Sequence, residues 1–331
     1  MNKLPLVSIS CAAYNHAPYI RQCLDGFIMQ KTNFPIEVLI NDDASTDGTA
    51  EIIKEYEQKY PEIIKPIYQT ENQYSKGISI SRSFNYPRVQ GKYMALCEGD
   101  DYWIDEYKLQ KQVDFMEANE EYSICFHNVK IYHESEEKFS DLYQVPEMPE
   151  ITDIKNLAAA NYIHTPSVLY RNNTQSINDY NNFPVLVIGD YILHMLFVKH
   201  GKIKRINEEM AVYRVHEGGA WSLKSIDYKT SKFLLALTEL IHYYKNDQEI
   251  CAILVEQYRY ISALLFPSIH IDYKYNNLIN DYNHLLNSKS WRITKPLRLF
   301  YSYIKNIYRL IIPSSLRKLI YNFRHNNKKY N

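Results

Sequence analysis

Apolar runs and amphipathic segments alternate through the first 130 residues of the chain. Short apolar runs that are typical of buried strands occur at residues 6–13, 36–42, 63–69, 92–98 and 122–132. Between them, apolar positions recur at helical spacing at residues 18–28, 50–60 and 105–119. Residues 85–90 are expected to end a further helix that stops at Gly91. Strands that alternate with helices predict an α/β fold with a mostly parallel sheet and helices on both faces.

The pattern is less regular after residue 132. Residues 133–150 are acidic and predict a surface loop. The next elements are expected to be a short helix at 151–161, a strand at 165–171, a helix at 190–201 and a strand at 203–216. From about Tyr228 onward the pattern is helical, so residues 226–331 are predicted to form a helical C-terminal region.

Polar segments follow three of the predicted strands. They are YNH at residues 14–16, NDDAST at 41–46 and EGDD at 98–101. In open α/β sheets, ligands bind beyond the carboxyl ends of the strands. We therefore expect these three segments to converge on one edge of the sheet and to form a binding site.

The segment at residues 98–101 crowds three carboxyl groups, those of Glu98, Asp100 and Asp101, around Gly99. Hard divalent cations bind carboxylate oxygens, and Mg²⁺ or Mn²⁺ commonly takes one or two of them together with phosphate oxygens. A bound cation would remove the repulsion between these charges. The alternative is a solvated acidic turn that caps the next helix.

Four other side chains have a chemical and a structural interpretation. Asp43 could accept an N–H from a nucleobase, or its segment could form a turn in which Asp47 caps the next helix. Tyr14 could stack on a base or pack against a neighbouring helix. Asp190 could act as a general base or as an N-cap. His216 could bind Mn²⁺ or be structural.

Composition indicates a soluble protein with a basic tail. Hydrophobic residues make up 46% of the 331-residue chain, and the formal net charge is zero. The five cysteines are scattered and no CxxC occurs, which fits a reducing cytosol. We find no signal peptide and no run of about 18 apolar residues that would predict a spanning helix.

The basic tail at residues 288–331 contains eleven Lys and Arg and no Asp or Glu. Aromatic and aliphatic residues alternate there with cations, which is typical of an amphipathic helix on an anionic membrane surface. The alternative is a pair of packed terminal helices with a solvated basic face. No nucleic-acid-binding motif accompanies the charge, so we expect no nucleic-acid partner.

Several motifs together resemble family 2 glycosyltransferases of the GT-A type. The similarity covers about residues 5–222, and SWRITKPLR at residues 290–298 resembles a segment found after the catalytic domain of some bacterial members. The matching segments are VSISCAAYNH, NDDASTDGT, GKYMALCEGDDYW with KLQKQVDF, IGD, and YRVHEGGAWS. The resemblance implies a GT-A catalytic domain at residues 1–225, with a donor-binding part at about 1–130 and an acceptor part at about 131–225.

The resemblance also implies a role for each motif residue. Tyr14 matches the family's base-stacking aromatic residue, Asp43 its base-binding aspartate and Asp190 its catalytic base. Glu98 begins the segment that stands where the family has its metal-binding DXD, and its role is open between the metal, the ribose and a metal-bound water. Residues implied in donor binding are Ala12, Tyr14, Asn15, Asp43, Glu98, Gly99 and Asp101. Asp100 and His216 are implied as ligands of Mn²⁺ or Mg²⁺.

These expectations predict a cytoplasmic glycosyltransferase that is peripheral on the inner face of the membrane. It would transfer a sugar from a nucleotide-diphosphate donor, a UDP-sugar, to a saccharide or lipid-linked saccharide with inversion, in surface-polysaccharide synthesis. One alternative is a non-catalytic nucleotide-sugar-binding protein of the same fold. A nucleotidyltransferase would need a phosphate loop rich in glycine and lysine, which the N-terminal segment lacks.

Overall fold

The computed structural model describes residues 4–140, 148–184, 187–219, 221 and 223–265. These residues fall within one compact unit. The predicted basic tail at 288–331 and the segment at 290–298 lie outside the described residues, as does part of the predicted acidic loop. In the described part of the chain, no helix combines the length and the apolar character needed to cross a membrane.

The described residues of this unit form ten strands and eight α-helices. The strands are β1 (Val7–Ala13), β2 (Ile36–Asp42), β3 (Ile64–Tyr68), β4 (Tyr93–Leu96), β5 (Tyr102–Trp103), β6 (Tyr122–His133), β7 (Lys138–Ser140), β8 (Ile151–Thr152), β9 (Leu169–Arg171) and β10 (Lys202–Val215). The helices are α1 (Ile20–Ile28), α2 (Thr49–Lys59), α3 (Lys108–Ala118), α4 (Ile154–Ala159), α5 (Thr174–Asn181), α6 (Gly189–Val198), α7 (Ile226–Tyr243) and α8 (Gln248–Leu265).

The strands form one mixed sheet in the order β3-β2-β1-β4-β9-β6-β10-β5, with β7 beside β6 and β8 beside β10. The β3-β2-β1-β4 half is parallel throughout, and β6 is parallel to β10. Strand β9 runs antiparallel to β4 and β6, and β5 runs antiparallel to β10. The predicted mostly parallel sheet is therefore confirmed. The chain leaves β1 toward β2 on one side and returns to β4 on the other, which opens a crevice at the carboxyl end of β1.

Helices cover both faces of the sheet, as predicted. On one face, α1, α2 and α3 contribute to a core with β1, β2 and β4, and the helically spaced Leu109, Val113 and Met116 of α3 are buried in it. On the other face, side chains from α4 to α8 pack together against β4, β6 and β9. Helices α7 and α8 therefore share a core with α6, because Leu237, Leu240 and Leu254 are fully buried in it.

Several segments differ from the sequence-based expectation, and helix α5 and the short strands β7 and β8 were not predicted. The helix predicted to end at 85–90 is replaced by a π turn at Ser81–Asn85 and a 3₁₀ turn at Tyr86–Arg88. The amide of Asn85 donates to the carbonyl oxygen of Cys11 and so ties this irregular segment to β1. The strand predicted at 165–171 begins only at Leu169, because Thr165–Ser167 form a 3₁₀ turn around Pro166. Residues 102–103, for which the sequence predicted no strand, form β5.

A fully buried lysine lies next to β5. The Nζ atom of Lys108 donates to Oε1 of Gln112 at 2.7 Å and lies 4.1 Å from the ring centroid of Trp103. The indole N–H of Trp103 donates to the carbonyl oxygen of Pro166 at 2.9 Å. Burial lowers the pKa of Lys108 to about 7. These contacts fix the strand that follows the acidic segment.

We expect Lys108→Met to change how stability depends on pH. Because the pKa of Lys108 is about 7 in the folded state, the folded protein binds fewer protons than the unfolded chain between that pKa and the usual lysine pKa. Lys108 therefore makes stability rise with pH in this window, by at most about 1.4 kcal/mol per pH unit. Urea unfolding at pH 7, 8 and 9 measures this rise. Lys108→Met should rise less than wild type, whereas the exposed control Lys54→Met should follow wild type. Equal slopes for Lys108→Met and wild type would contradict the assignment.

Candidate active site

The three polar loops meet at the carboxyl ends of β1, β2 and β4. The amide of Gly99 donates to the carbonyl oxygen of Ala12 at 2.9 Å, and the amide of Asp43 donates to that of Ala13 at 2.9 Å. The amide of Ala12 donates to Oε2 of Glu98 at 3.3 Å. The structure therefore brings these predicted segments together in one cleft.

The loop after β1 is held in a left-handed turn that leaves Tyr14 free. Asn15 has a φ of 53°, a region that Asn tolerates better than most residues. Its amide N–H donates to Oγ of Ser45 at 2.8 Å, and its side-chain oxygen accepts the amide of Thr46 at 2.9 Å. The side chain of Tyr14 is 47% exposed and offers a ring face at the edge of the cleft.

The buried carboxylate of Asp43 holds the loop that follows β3. Its Oδ1 accepts the amide of Gln73 at 2.7 Å, and its Oδ2 accepts the amide of Tyr74 at 3.0 Å. The side chain of Asn72 donates to the carbonyl oxygen of Asp43 at 3.3 Å. A carboxylate has about four acceptor positions, so Asp43 can still accept an N–H from a ligand. The sequence analysis missed Asn72, which the fold places beside Asp43.

The three carboxyl groups of the acidic loop have different environments. Burial, then the charge of Asp100, raises the pKa of Glu98 to about 8. Burial and the charge of Asp100 also raise the pKa of Asp101, whose Oδ1 accepts the amide of Arg214 at 2.8 Å. Burial acts in the same direction on Asp100, but His216 and His16 outweigh it and lower the pKa of Asp100. Asp100 is therefore the carboxyl group of this loop whose ionised form the fold favours most.

Arg214 of β10, which the sequence analysis missed, forms hydrogen bonds with the acidic loop. Its Nε donates to the carbonyl oxygen of Asp100 at 2.9 Å, and its guanidinium lies 4.8 Å from the ring centroid of Tyr19 and 5.1 Å from that of Tyr102. Only 8% of Arg214 is exposed. A signal was present in the sequence, because strand residues two apart share a face and Arg214 is two residues before His216.

Two imidazoles approach one carboxylate oxygen of Asp100. The Nε2 atom of His216 lies 3.0 Å from Oδ2 of Asp100, and Nε2 of His16 lies 3.8 Å from the same atom. No three His, Cys, Asp or Glu side chains of the described residues stand at the spacing of a complete metal site. The donor set itself, one ionised carboxylate with imidazole, suits Mn²⁺, which accepts both oxygen and nitrogen ligands.

Asp190 lies in the first turn of α6, across the cleft from the acidic loop. The helix follows Ile188, which has a φ of 52° at the N-cap position, so the alternative that Asp190 is the N-cap is wrong. Its Oδ1 accepts the amide of Tyr191 at 2.8 Å, and its Oδ2 accepts the hydroxyl of Thr165 at 3.3 Å. After burial and Asp100, the charge of Asp190 also raises the pKa of Glu98, which indicates that the two carboxyl groups are close enough to interact.

Comparison with known proteins agrees with this architecture. Residues 8–176 match the family model described as glycosyl transferase family 2. The Escherichia coli protein WfaP, named as a UDP-Glc:α-D-GlcNAc-diphosphoundecaprenol β-1,3-glucosyltransferase, is 31% identical over 216 residues, which cover 65% of this chain and 79% of that protein.

Solved structures share the fold at low sequence identity. S. aureus TarS in complex with UDP-GlcNAc has a TM-score of 0.59 and 19% identity, and the match covers 81% of this chain and 76% of that one. The mannosyltransferase PcManGT from Pyrobaculum calidifontis, in complex with GDP-Man and Mn²⁺, has a TM-score of 0.55 and 16% identity, with coverage of 88% and 83%. The family match, together with this likeness, shows that the chain is a glycosyltransferase of family 2 with the GT-A fold.

Proposed function

We propose that this glycosyltransferase transfers a sugar from a UDP-sugar to a saccharide or lipid-linked saccharide acceptor, with Mn²⁺ or Mg²⁺ and with inversion at the anomeric carbon. The observation that carries the proposal is the division of roles in the cleft. Asp100 is ionised and hydrogen-bonds to His216, whereas Asp190 is held by separate hydrogen bonds on α6. Asp100 is thus suited to bind a cation, and Asp190 is suited to accept a proton.

Donor binding would involve the loops after β1, β2 and β4. The exposed ring of Tyr14 can stack on a base, and Asp43 retains acceptor positions for a base N–H. Burial raises the pKa of Glu98 to about 8 and so favours its protonated form, which can donate a hydrogen bond to a ribose or sugar oxygen. The backbones of Ala12, Asn15 and Gly99 and the side chain of Asp101 shape this pocket.

The metal would be held by Asp100 and His216. A bound divalent cation neutralises the charge that develops on a diphosphate leaving group. The Nε atom of Arg214 donates to the carbonyl oxygen of Asp100, and the backbone amide of Arg214 donates to Oδ1 of Asp101. Arg214 therefore keeps both residues in place. Strand β10 therefore holds the acidic loop in place without a bound ligand.

Asp190 would remove the proton from the acceptor hydroxyl as that oxygen attacks the sugar. The amide of Tyr191 and the hydroxyl of Thr165 each donate to one oxygen of Asp190 and so orient its free lone pairs. Attack on the face opposite the diphosphate inverts the anomeric carbon.

The relatives support the choice of substrates. WfaP is named for a UDP-glucose donor and a diphosphoundecaprenol-linked acceptor, and TarS binds UDP-GlcNAc. PcManGT binds GDP-Man with Mn²⁺, so a guanine nucleotide is the competing donor class. A lipid-linked acceptor suits an enzyme in the cytoplasm that is peripheral on the inner membrane, to which the basic tail at 288–331 would bind. We propose synthesis of a capsule-like or O-antigen-like polysaccharide as its setting, with no nucleic-acid partner.

A thermal-shift panel of nucleotides tests the donor proposal. UDP with Mn²⁺, at about 100 times its Kd, should raise the melting temperature by about 5 °C or more, because a ligand that binds only the folded state stabilises it. GDP, ADP and CMP with Mn²⁺ are the controls and should raise it less. A larger shift with GDP than with UDP would mean that the donor nucleotide is a guanosine rather than a uridine diphosphate. No shift with any nucleotide would contradict the proposed function.

A further inference from the structure

His16, which the proposed function does not use, is fixed beside the acidic loop at the start of α1. Its amide donates to Oγ1 of Thr49 at 2.8 Å, and its carbonyl oxygen accepts the amides of Tyr19 and Ile20, each at 2.8 Å. Three backbone hydrogen bonds therefore set the position of His16, and its ring has to lie over Gly99. A Cβ atom on Gly99 would be 2.9 Å from Nδ1 of His16, so the missing side chain of Gly99 makes room for this ring.

Neither ring nitrogen of His16 makes a hydrogen bond within the described residues. Nδ1 is buried and has no partner, and Nε2 lies 3.8 Å from Oδ2 of Asp100, which is too long for a hydrogen bond. Only 15% of the side chain is exposed. Nδ1 faces Gly99, so the nitrogen that is placed to bind a ligand beside Asp100 is Nε2.

His16 and His216 reach the same atom, Oδ2 of Asp100, from two sides. Their ring centroids are 6.3 Å apart and their planes are nearly perpendicular. Neighbouring ligands of an octahedral cation with bonds of about 2.1 Å lie about 3 Å apart. The distance from Nε2 of His216 to Oδ2 of Asp100 is 3.0 Å and already has this value. The distance from Nε2 of His16 to the same oxygen is 3.8 Å, so His16 must move closer by a fraction of an ångström. Among the described residues, these three side chains do not stand at the spacing of a complete metal site, so the cation would have to draw His16 toward Asp100.

We infer that His16 is a third protein ligand of the metal, together with Asp100 and His216. This inference rests on the proposed metal-dependent function. Two imidazoles and one carboxylate occupy about half of an octahedral shell and leave the other positions for diphosphate oxygens and water. Imidazole suits transition metals, whereas Mg²⁺ prefers an all-oxygen shell. The site is therefore selective for Mn²⁺ over Mg²⁺.

Pulsed electron paramagnetic resonance of Mn²⁺ bound to the full-length protein with UDP tests the inference without turnover. Modulation of the electron spin echo by ¹⁴N counts coordinated imidazoles, and ¹⁵N-histidine identifies their source. Wild type should show two imidazole nitrogens, and His16→Gln and His216→Gln should each show one. The exposed His200→Gln is the matched control and should show two. The free Mn²⁺ signal measures the Kd for Mn²⁺, which should be at least about 10-fold higher for His16→Gln than for wild type. The ratio of Mn²⁺ affinity to Mg²⁺ affinity should also be smaller in His16→Gln than in wild type.

The outcomes separate this inference from the proposed function. A single imidazole nitrogen in wild type, or two in a folded His16→Gln variant, overturns the role of His16 but leaves metal-dependent transfer standing. If wild type binds no Mn²⁺ with UDP, both the inference and the proposed metal dependence fail. His16→Asn serves as the second variant should His16→Gln lose its cooperative thermal unfolding.

Discussion

Asp190→Asn should lower kcat by about 10²- to 10⁴-fold while the affinity for the donor stays close to that of wild type. The asparagine side chain keeps the volume of Asp190. Its oxygen can still accept the amide of Tyr191 and its NH₂ group can donate to the hydroxyl of Thr165, but it cannot take a proton. The loss is therefore expected in the chemical step. Single-turnover rates with the donor identified in the thermal-shift panel, together with the donor Kd, measure the two effects separately.

Two further variants sharpen this test. Thr165→Val removes the hydroxyl that donates to Asp190, so its kcat should fall less than that of Asp190→Asn, because the carboxylate itself remains. Asp114→Asn, on the exposed face of α3, is the matched control and should behave as wild type. Transfer by Asp190→Asn at the wild-type rate would contradict the base assignment.

Asp100→Asn should abolish the Mn²⁺-dependent part of donor binding. Asp100 is the ionised carboxylate of the acidic loop, so the amide removes the charge that attracts the cation. The rise of about 5 °C in melting temperature expected with UDP and Mn²⁺ should shrink to the value measured with UDP and EDTA. Without ligands, the variant should melt moderately below wild type, because His216 and His16 lower the pKa of Asp100 and so stabilise its ionised form in the folded protein.

The comparison of thermal shifts with and without Mn²⁺ makes the Asp100 prediction specific. Asp114→Asn again controls for the loss of one aspartate and should keep the full Mn²⁺-dependent shift. A full Mn²⁺-dependent shift in Asp100→Asn would mean that the cation binds elsewhere. A variant that melts far below wild type without ligands would instead indicate that Asp100 is a structural residue held by His216.

The parallel half of the fold was predictable because its signals are local. The strands β1 and β2 are runs of buried residues next to turn-forming segments, and α3 has apolar residues at helical spacing. Errors occurred where a tertiary contact overrode the local pattern. Asn85 bonds to β1 and prevents a regular helix there, and the two-residue strand β5 exists because Trp103 is buried and pairs with β10.

The sequence by itself determined the family motifs, the α/β alternation and the three polar loops, because each depends on residues that are close along the chain. Only the tertiary structure decided which charges the acidic loop carries, because a pKa depends on burial and on neighbours that the fold supplies. His16, His216 and Arg214 reach Asp100 from two distant segments of the chain, and no local pattern specifies those contacts. The acidic loop was visible in the sequence, whereas its protonation and its histidine neighbours arise from folding.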